Sequence, residues 1–214
     1  MKDWRALEQA AAAMRRLNRA VATFEVPDEE LREVARVAIE LSRRLEAGGV
    51  RQKDQELLTL PFFAALGEGP PSTVEGDKLE FDPFSLGGGR LHPSSIGIEF
   101  RRGRDGTASV TARCTVHGMF QGPPGRAHGG TVALIIDELM GMVNRVAGRR
   151  AFTARLQIYL RAPAPVDTEL TFRAWEHEVD GRKVIIKAEG RVDDALIVEA
   201  DALFIEVSRV LPDA

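Results

Sequence analysis

His128-Gly129-Gly130 and Asp137 are the residues of this 214-residue chain whose types and spacing suit chemistry. Two glycines let a ligand approach the backbone closely, because no Cβ stands in the way. They open a long apolar run, Gly129–Val146, which reads as a helix. The first amides of a helix have no partner within it, and the helix dipole adds partial positive charge there. Such a place suits a carbonyl oxygen that becomes negative during acyl transfer. His128 stands beside it and can orient a substrate or another side chain.

Down the same helix, Gly130, Ala133, Asp137, Gly141 and Asn144 fall on one face by the three/four spacing rule. That face is small and polar on an otherwise apolar helix. A carboxylate there is expensive to bury unless it is partnered or functional, and it can attack a carbonyl or deprotonate a water. Asp137 lies seven residues beyond Gly130, about 10 Å further along the axis. One carbonyl cannot easily touch both places on one helix. Two antiparallel helices related by a two-fold axis remove the difficulty, each site taking glycine amides from one subunit and an aspartate from the other. The expectation is therefore a homodimer or a dimer of dimers with interface sites.

The elements that must position these residues follow from periodicity. Residues 3–22 and about Glu29 to Glu46 read as amphipathic helices, divided by Val26-Pro27-Asp28 and closed by Gly48-Gly49. Residues 51–93 read as a linker packing on the core, with Leu57–Leu66 as a short helix interrupted by Pro61. Ser95–Arg102 and Thr107–His117 alternate about a Gly103–Gly106 turn, as a hairpin does. After the buried helix come four strand-like runs, Ala151–Arg161, Thr168–Val179, Lys183–Val192 and Ala195–Arg209. Consecutive antiparallel strands with one buried helix indicate an α+β architecture, a sheet wrapped around a long central helix. The chain divides into a helical extension (1–50), the linker (51–93) and the core domain (94–210).

Composition narrows the classes. Apolar residues at 44% support a folded core, and a net charge of −3 lacks the basic footprint of a nucleic-acid binder. The longest apolar run, Val132–Ile136, is too short to span a bilayer, and the N-terminus carries no signal-peptide pattern. The mixed acids of the second helix speak against a membrane-surface helix. Cys114, in an alternating run, reads as a buried strand thiol, and the four scattered histidines have no zinc-type spacing. A cytoplasmic protein without a metal or cofactor is expected.

The run Gly122-Pro123-Pro124-Gly125-Arg126-Ala127-His128-Gly129-Gly130-Thr131-Val132-Ala133-Leu134-Ile135-Ile136-Asp137-Glu138 resembles the signature of the PaaI-type hotdog thioesterases. Phe152–Pro163 is similar to that family's first strand after the helix, and Gly181-Arg182-Lys183 fits its turn. The resemblance covers roughly residues 80–209. It implies a hotdog fold and an acyl-CoA thioesterase in which CoA is part of the substrate. It implies Asp137 as base or nucleophile, Gly129 as the amide that polarises the thioester carbonyl, and His128 as a positioning group. Thr153 would hold the attacking water. Gly130, Asn144, Arg161, Arg182 and Lys183 are the substrate-binding candidates, Asn144 having loop capping as its other reading. Arg161-Ala162-Pro163 departs from the family's commoner Arg-Pro step.

Competing readings are specific. A hotdog enoyl-thioester hydratase or dehydratase would use a histidine such as His117 before Pro124-Gly125, although its Asp-x-Asn-Pro-x-His run is absent. A non-catalytic acyl-CoA-binding module shares the fold. A ligand-free dimerisation domain gives no reason for Asp137. Glu138 points about 100° away from Asp137 and reads as structural. The N-terminal helices would pack on their own domain or on a second subunit, or lie as a lid over an acyl channel.

Overall fold

The computed structural model describes residues 4–50, 73–104 and 106–207. Helices α1 (Trp4–Thr23) and α2 (Asp28–Glu46) form the extension. Pro27 sets the start of α2. Asp28, Glu29 and Glu30 in its first turn and Arg43 and Arg44 in its last complement the helix dipole. The core runs β1 (Glu99–Arg102), β2 (Ser109–Thr115), a 3-10 turn (Gly118–Phe120), α3 (Gly129–Val146), β3 (Ala151–Leu160), β4 (Glu169–Asp180), β5 (Lys183–Val192) and β6 (Ala195–Glu206).

The strands form one antiparallel sheet in the order β1-β2-β4-β5-β6-β3. Strands β2, β4, β5 and β6 bury alternate residues, because successive side chains point to opposite faces. Val110, Ala112 and Cys114 of β2, Leu170 and Phe172 of β4, Val184 and Ile186 of β5, and Ala202 and Phe204 of β6 are buried on one face. Helix α3 packs across β2, β3, β4 and β5. Its Val132, Ile135, Ile136, Leu139, Met140 and Val143 fill the same core. The sequence expectation of a sheet closed over one central helix is met. Burial and the nearby Glu169 push the Cys114 thiol up to about 12, so it is a core residue and not a nucleophile.

Gly190 is required by packing in the sheet. A Cβ on Gly190 would lie 2.4 Å from the Phe172 ring and 2.7 Å from Val198. Gly190→Ala is therefore expected to destabilise the fold by about 1–3 kcal/mol, the usual range for overpacking, as a lowered midpoint in urea unfolding.

Two strand boundaries differ from the sequence expectation by more than two residues. β1 starts at Glu99, not Ser95, because residues 95–98 bond to the preceding loop. Ile96 N–H donates to Leu86 O, Gly97 and Ile98 N–H donate to Gly87 O, and Gly97 has φ +86°. β6 ends at Glu206, and residues 208–214 lie outside the described residues, as does the expected helix at Leu57–Leu66.

Residues 73–93 pack against the core. Leu79 and Leu91 are buried, Phe81 stacks 4.6 Å from Phe100, and Leu79 N–H donates to Phe100 O. Helix α1 docks on that layer. Arg15 donates to His92 O at 2.8 Å, Trp4 meets Phe84 edge-on at 5.5 Å, and Ala11 is buried. Helix α2 has no buried residue among its described positions.

Candidate active site

The loop before α3 is tied down at both ends. Ala127 N–H donates to Ala164 O at 2.8 Å and His128 N–H to Phe120 O at 2.9 Å. His128 is the N-cap of α3, with extended backbone (φ −62°, ψ 136°), and its Nδ1 accepts the Gly130 N–H at 3.0 Å. Nδ1 therefore carries no proton, and Nε2–H is the exposed donor of this ring. The glycine pair is thereby divided. The Gly130 amide is spent on the cap, while the Gly129 N–H has no partner among the described residues. Gly129, Val132, Leu160, Arg126 and Arg161 line a cleft of about 390 Å³ at this end of the helix. Arg161 stands over the Tyr159 ring and gives its Nε–H to Glu199 at 2.7 Å.

Asp137 lies further along α3, half-buried. Thr153 Oγ1 donates to its Oδ1 at 3.0 Å, and Oδ2 has no protein partner among the described residues. A bulge puts Thr153 there. Thr153 pairs with Phe204 while Arg155 pairs with Leu203, so Ala154 is the extra residue, and a bulge re-aims its neighbours. Asp137, Thr153, Asn144, Met142, Phe152 and Phe204 are among the walls of a second cleft, of about 340 Å³. A further cleft, about 520 Å³ between residues 78–90 and β1, contains none of the candidate residues.

The candidates thus fall into two groups on one chain. Gly129 and Arg161 share the cleft at the helix start, with His128 and Gly130 beside it. Asp137, Thr153 and Asn144 share the other. The structure does not bring Arg182 or Lys183 to either. Arg182 donates to Glu206 O at 3.0 Å in the β4–β5 turn. His117, the histidine of the hydratase reading, gives Nδ1–H to Asp167 at 2.9 Å and accepts from Arg19 at 3.2 Å. It lines neither cleft and ties α1 to the core.

Glu138 follows Asp137 on α3. Ser85 Oγ–H donates to its Oε1, fastening the linker to α3. Burial pushes its carboxyl above the usual carboxylate range, and the charges of Asp137 and Asp82 act in the same direction, against hydrogen bonds from Ser85 and Gly87. A carboxyl raised by folding favours the folded state below its unfolded value and loses that contribution as pH rises through its folded value. Glu138→Gln is therefore expected to melt above the parent at neutral pH, with the difference closing as pH falls toward about 4. Calorimetry across that range checks it.

An antiparallel sheet laid over one central helix, with a cleft at each end of the helix's small face, defines a hotdog-fold domain. Residues 124–199 match the family model of the thioesterase superfamily, in line with the resemblance. It is 34% identical over 142 residues to acyl-coenzyme A thioesterase THEM4 of Bos taurus, covering 64% of this chain and 56% of that one. It is 33% identical over 89 residues to the Xenopus laevis THEM4 protein, covering 41% and 40%. The aligned parts therefore span about half the length of these relatives. A solved thioesterase superfamily protein superimposes with TM-score 0.70 at 24% identity, covering 93% of this chain and 90% of that chain. The fold likeness thus takes in most of the N-terminal region. Among the described residues, no helix is long and apolar enough to cross a membrane.

Proposed function

We propose that this chain hydrolyses an acyl-CoA thioester to a free acid and CoA, at sites shared between two copies. The observation that carries the reading is the division of its polar groups along α3. An unspent helix-start amide, Gly129, and a carboxylate oriented by a hydroxyl, Asp137, lie eight residues apart, about 12 Å along the axis. Thioester hydrolysis needs both at one carbonyl. The named activity of the THEM4 relatives supports the same chemistry.

Asp137 acts as base or nucleophile. As base, its Oδ2 takes a proton from a water that Thr153 helps to hold, and the water oxygen bonds to the thioester carbon. The carbonyl oxygen becomes an oxyanion facing the Gly129 N–H of the second copy. Its collapse breaks the carbon–sulfur bond, and the CoA thiolate leaves and takes up the proton. His128 Nε2–H and Arg161 flank the path of the pantetheine arm and its phosphates.

The free edge of β3 supports the pairing. β3 lies at the end of the sheet, with Phe152 53%, Tyr159 40% and Leu160 57% exposed. Beside it, Gly130, Ala133, Asp137 and Gly141 form a small, uncovered face of α3 that a second helix can approach. A single free thiol, Cys114, fits a cytoplasmic setting.

The test is thiol release from a panel of acyl-CoAs, run beside sedimentation of the same sample. Hydrolysis by a dimer or tetramer is the expected result. A fully active monomer sinks the shared site. Loss of enoyl absorbance without thiol release would point to a hydratase instead.

A further inference from the structure

Helix α2 keeps its apolar stripe uncovered. None of its residues is buried, Leu41 is 46% exposed and Leu45 78% exposed, and Val34 and Ala38 are only partly covered. Among the described residues, no helix or strand packs along it. An amphipathic helix gains most of its stability from burying such a stripe, so this one calls for a counterpart.

The pattern of α2 identifies the counterpart. Leu31, Val34, Ala38, Leu41 and Leu45 recur at alternating steps of three and four, the seam along which two helices pack knobs into holes. The small Ala35 and Ala38 near its middle let a second backbone come close. On the side away from the seam, Arg36 meets Glu33 at 2.6 Å and Glu40 at 3.5 Å, so these charges are spent within the helix. Glu30 and Arg44 flank the seam and have no partner among the described residues. They stand seven residues before and seven after Val37, on the same flank. An antiparallel copy of α2, turned about an axis through Val37, therefore sets Glu30 against Arg44 of the other copy twice. A parallel copy would lay the acidic first turn, Asp28 to Glu30, beside its own like, and Arg43 and Arg44 beside theirs.

We propose that α2 is an assembly surface. It pairs antiparallel with α2 of a second copy about a two-fold axis at Val37, burying the Leu31–Leu45 seam and matching each Glu30 with Arg44 of the other copy. This surface lies outside the sheet-and-helix core and does not rest on the thioesterase reading.

The test uses the full chain at micromolar concentration and low salt, with a short bis-maleimide that joins neighbouring thiols; the parent, whose single Cys114 is buried, sets the baseline. Val37→Cys is expected to cross-link into dimers about tenfold or more faster than the parent, because pairing holds the two thiols together. Glu30→Cys should stay near the baseline, since its counterpart lies about 20 Å away along the axis. In the Val37→Cys background, Glu30→Arg and Arg44→Glu should each slow cross-linking by about fivefold, as each sets like charges side by side twice, and the two together should restore it to within about twofold. Lost helix-dipole complementarity alone would add in the double variant instead of cancelling. Val37→Cys at the baseline rate overturns the pairing. So do equal cross-linking of Glu30→Cys, charge variants that keep the Val37→Cys rate singly, or a double variant no faster than the singles.

Discussion

Asp137→Asn is expected to lower kcat for acyl-CoA hydrolysis by roughly 10²–10⁴, the usual range for a lost general base. The substitution is nearly isosteric and keeps an acceptor for the Thr153 hydroxyl, so the bond at 3.0 Å survives. What disappears is the anionic oxygen that removes a proton from water or attacks the carbonyl. Stability should change little, because Asp137 is half-buried and its side chain makes a single hydrogen bond among the described residues. Thr153→Ala removes that orienting bond and leaves the carboxylate, so a smaller loss, of about tenfold, is expected, with recovery in Thr153→Ser. Thiol release under saturating substrate gives both numbers. Undiminished hydrolysis by Asp137→Asn would end the assignment and shift attention to other groups in the cleft.

Gly129→Pro tests the other half of the site at a single atom. Proline is favoured at the first helical position and removes only an N–H that the helix does not use. The residue before a proline must be extended, and His128 already is, with ψ 136°. The nearest atom to a Cβ at position 129 is the mobile Leu160 Cδ1 at 3.3 Å. The variant should therefore fold with α3 intact while kcat falls by about 10²–10³, the effect of one lost oxyanion donor. The two variants together then test the division between subunits. Mixing Gly129→Pro with Asp137→Asn under conditions that exchange subunits gives hybrids with one site native in both groups. Activity should return toward about a quarter of the parent level, the share expected from random two-fold pairing. Hybrids that form without recovering activity would mean that each site is built within one chain.

Much of the fold follows from periodicity alone. The buried helix Gly129–Val146 and the strand Lys183–Val192 have in the structure the bounds their patterns imply, because each exposes one period to the core and is closed by local turn chemistry. The placement of Asp137 on the small face of α3 is equally local, since it depends only on helical spacing. The sequence determined, without help, the class of fold and the spacing of Gly129 and Asp137 on one helix.

Only tertiary structure decided how those places are equipped. Which of two adjacent glycine amides stays available depended on the direction of the His128 ring, which no spacing reveals. Thr153 reaches Asp137 through a bulge set by register against β6, a property of the strand pair and not of either strand. β1 starts late because residues 95–98 prefer partners in a loop some ten positions earlier. Glu138 met Ser85, and His117 met Asp167 and Arg19, across 53, 50 and 98 residues of chain. Asn144 is legible in the sequence as a polar residue on the right face. Its want of a partner emerges only when the core closes around it, because an unpaired group is defined by everything that packs against it.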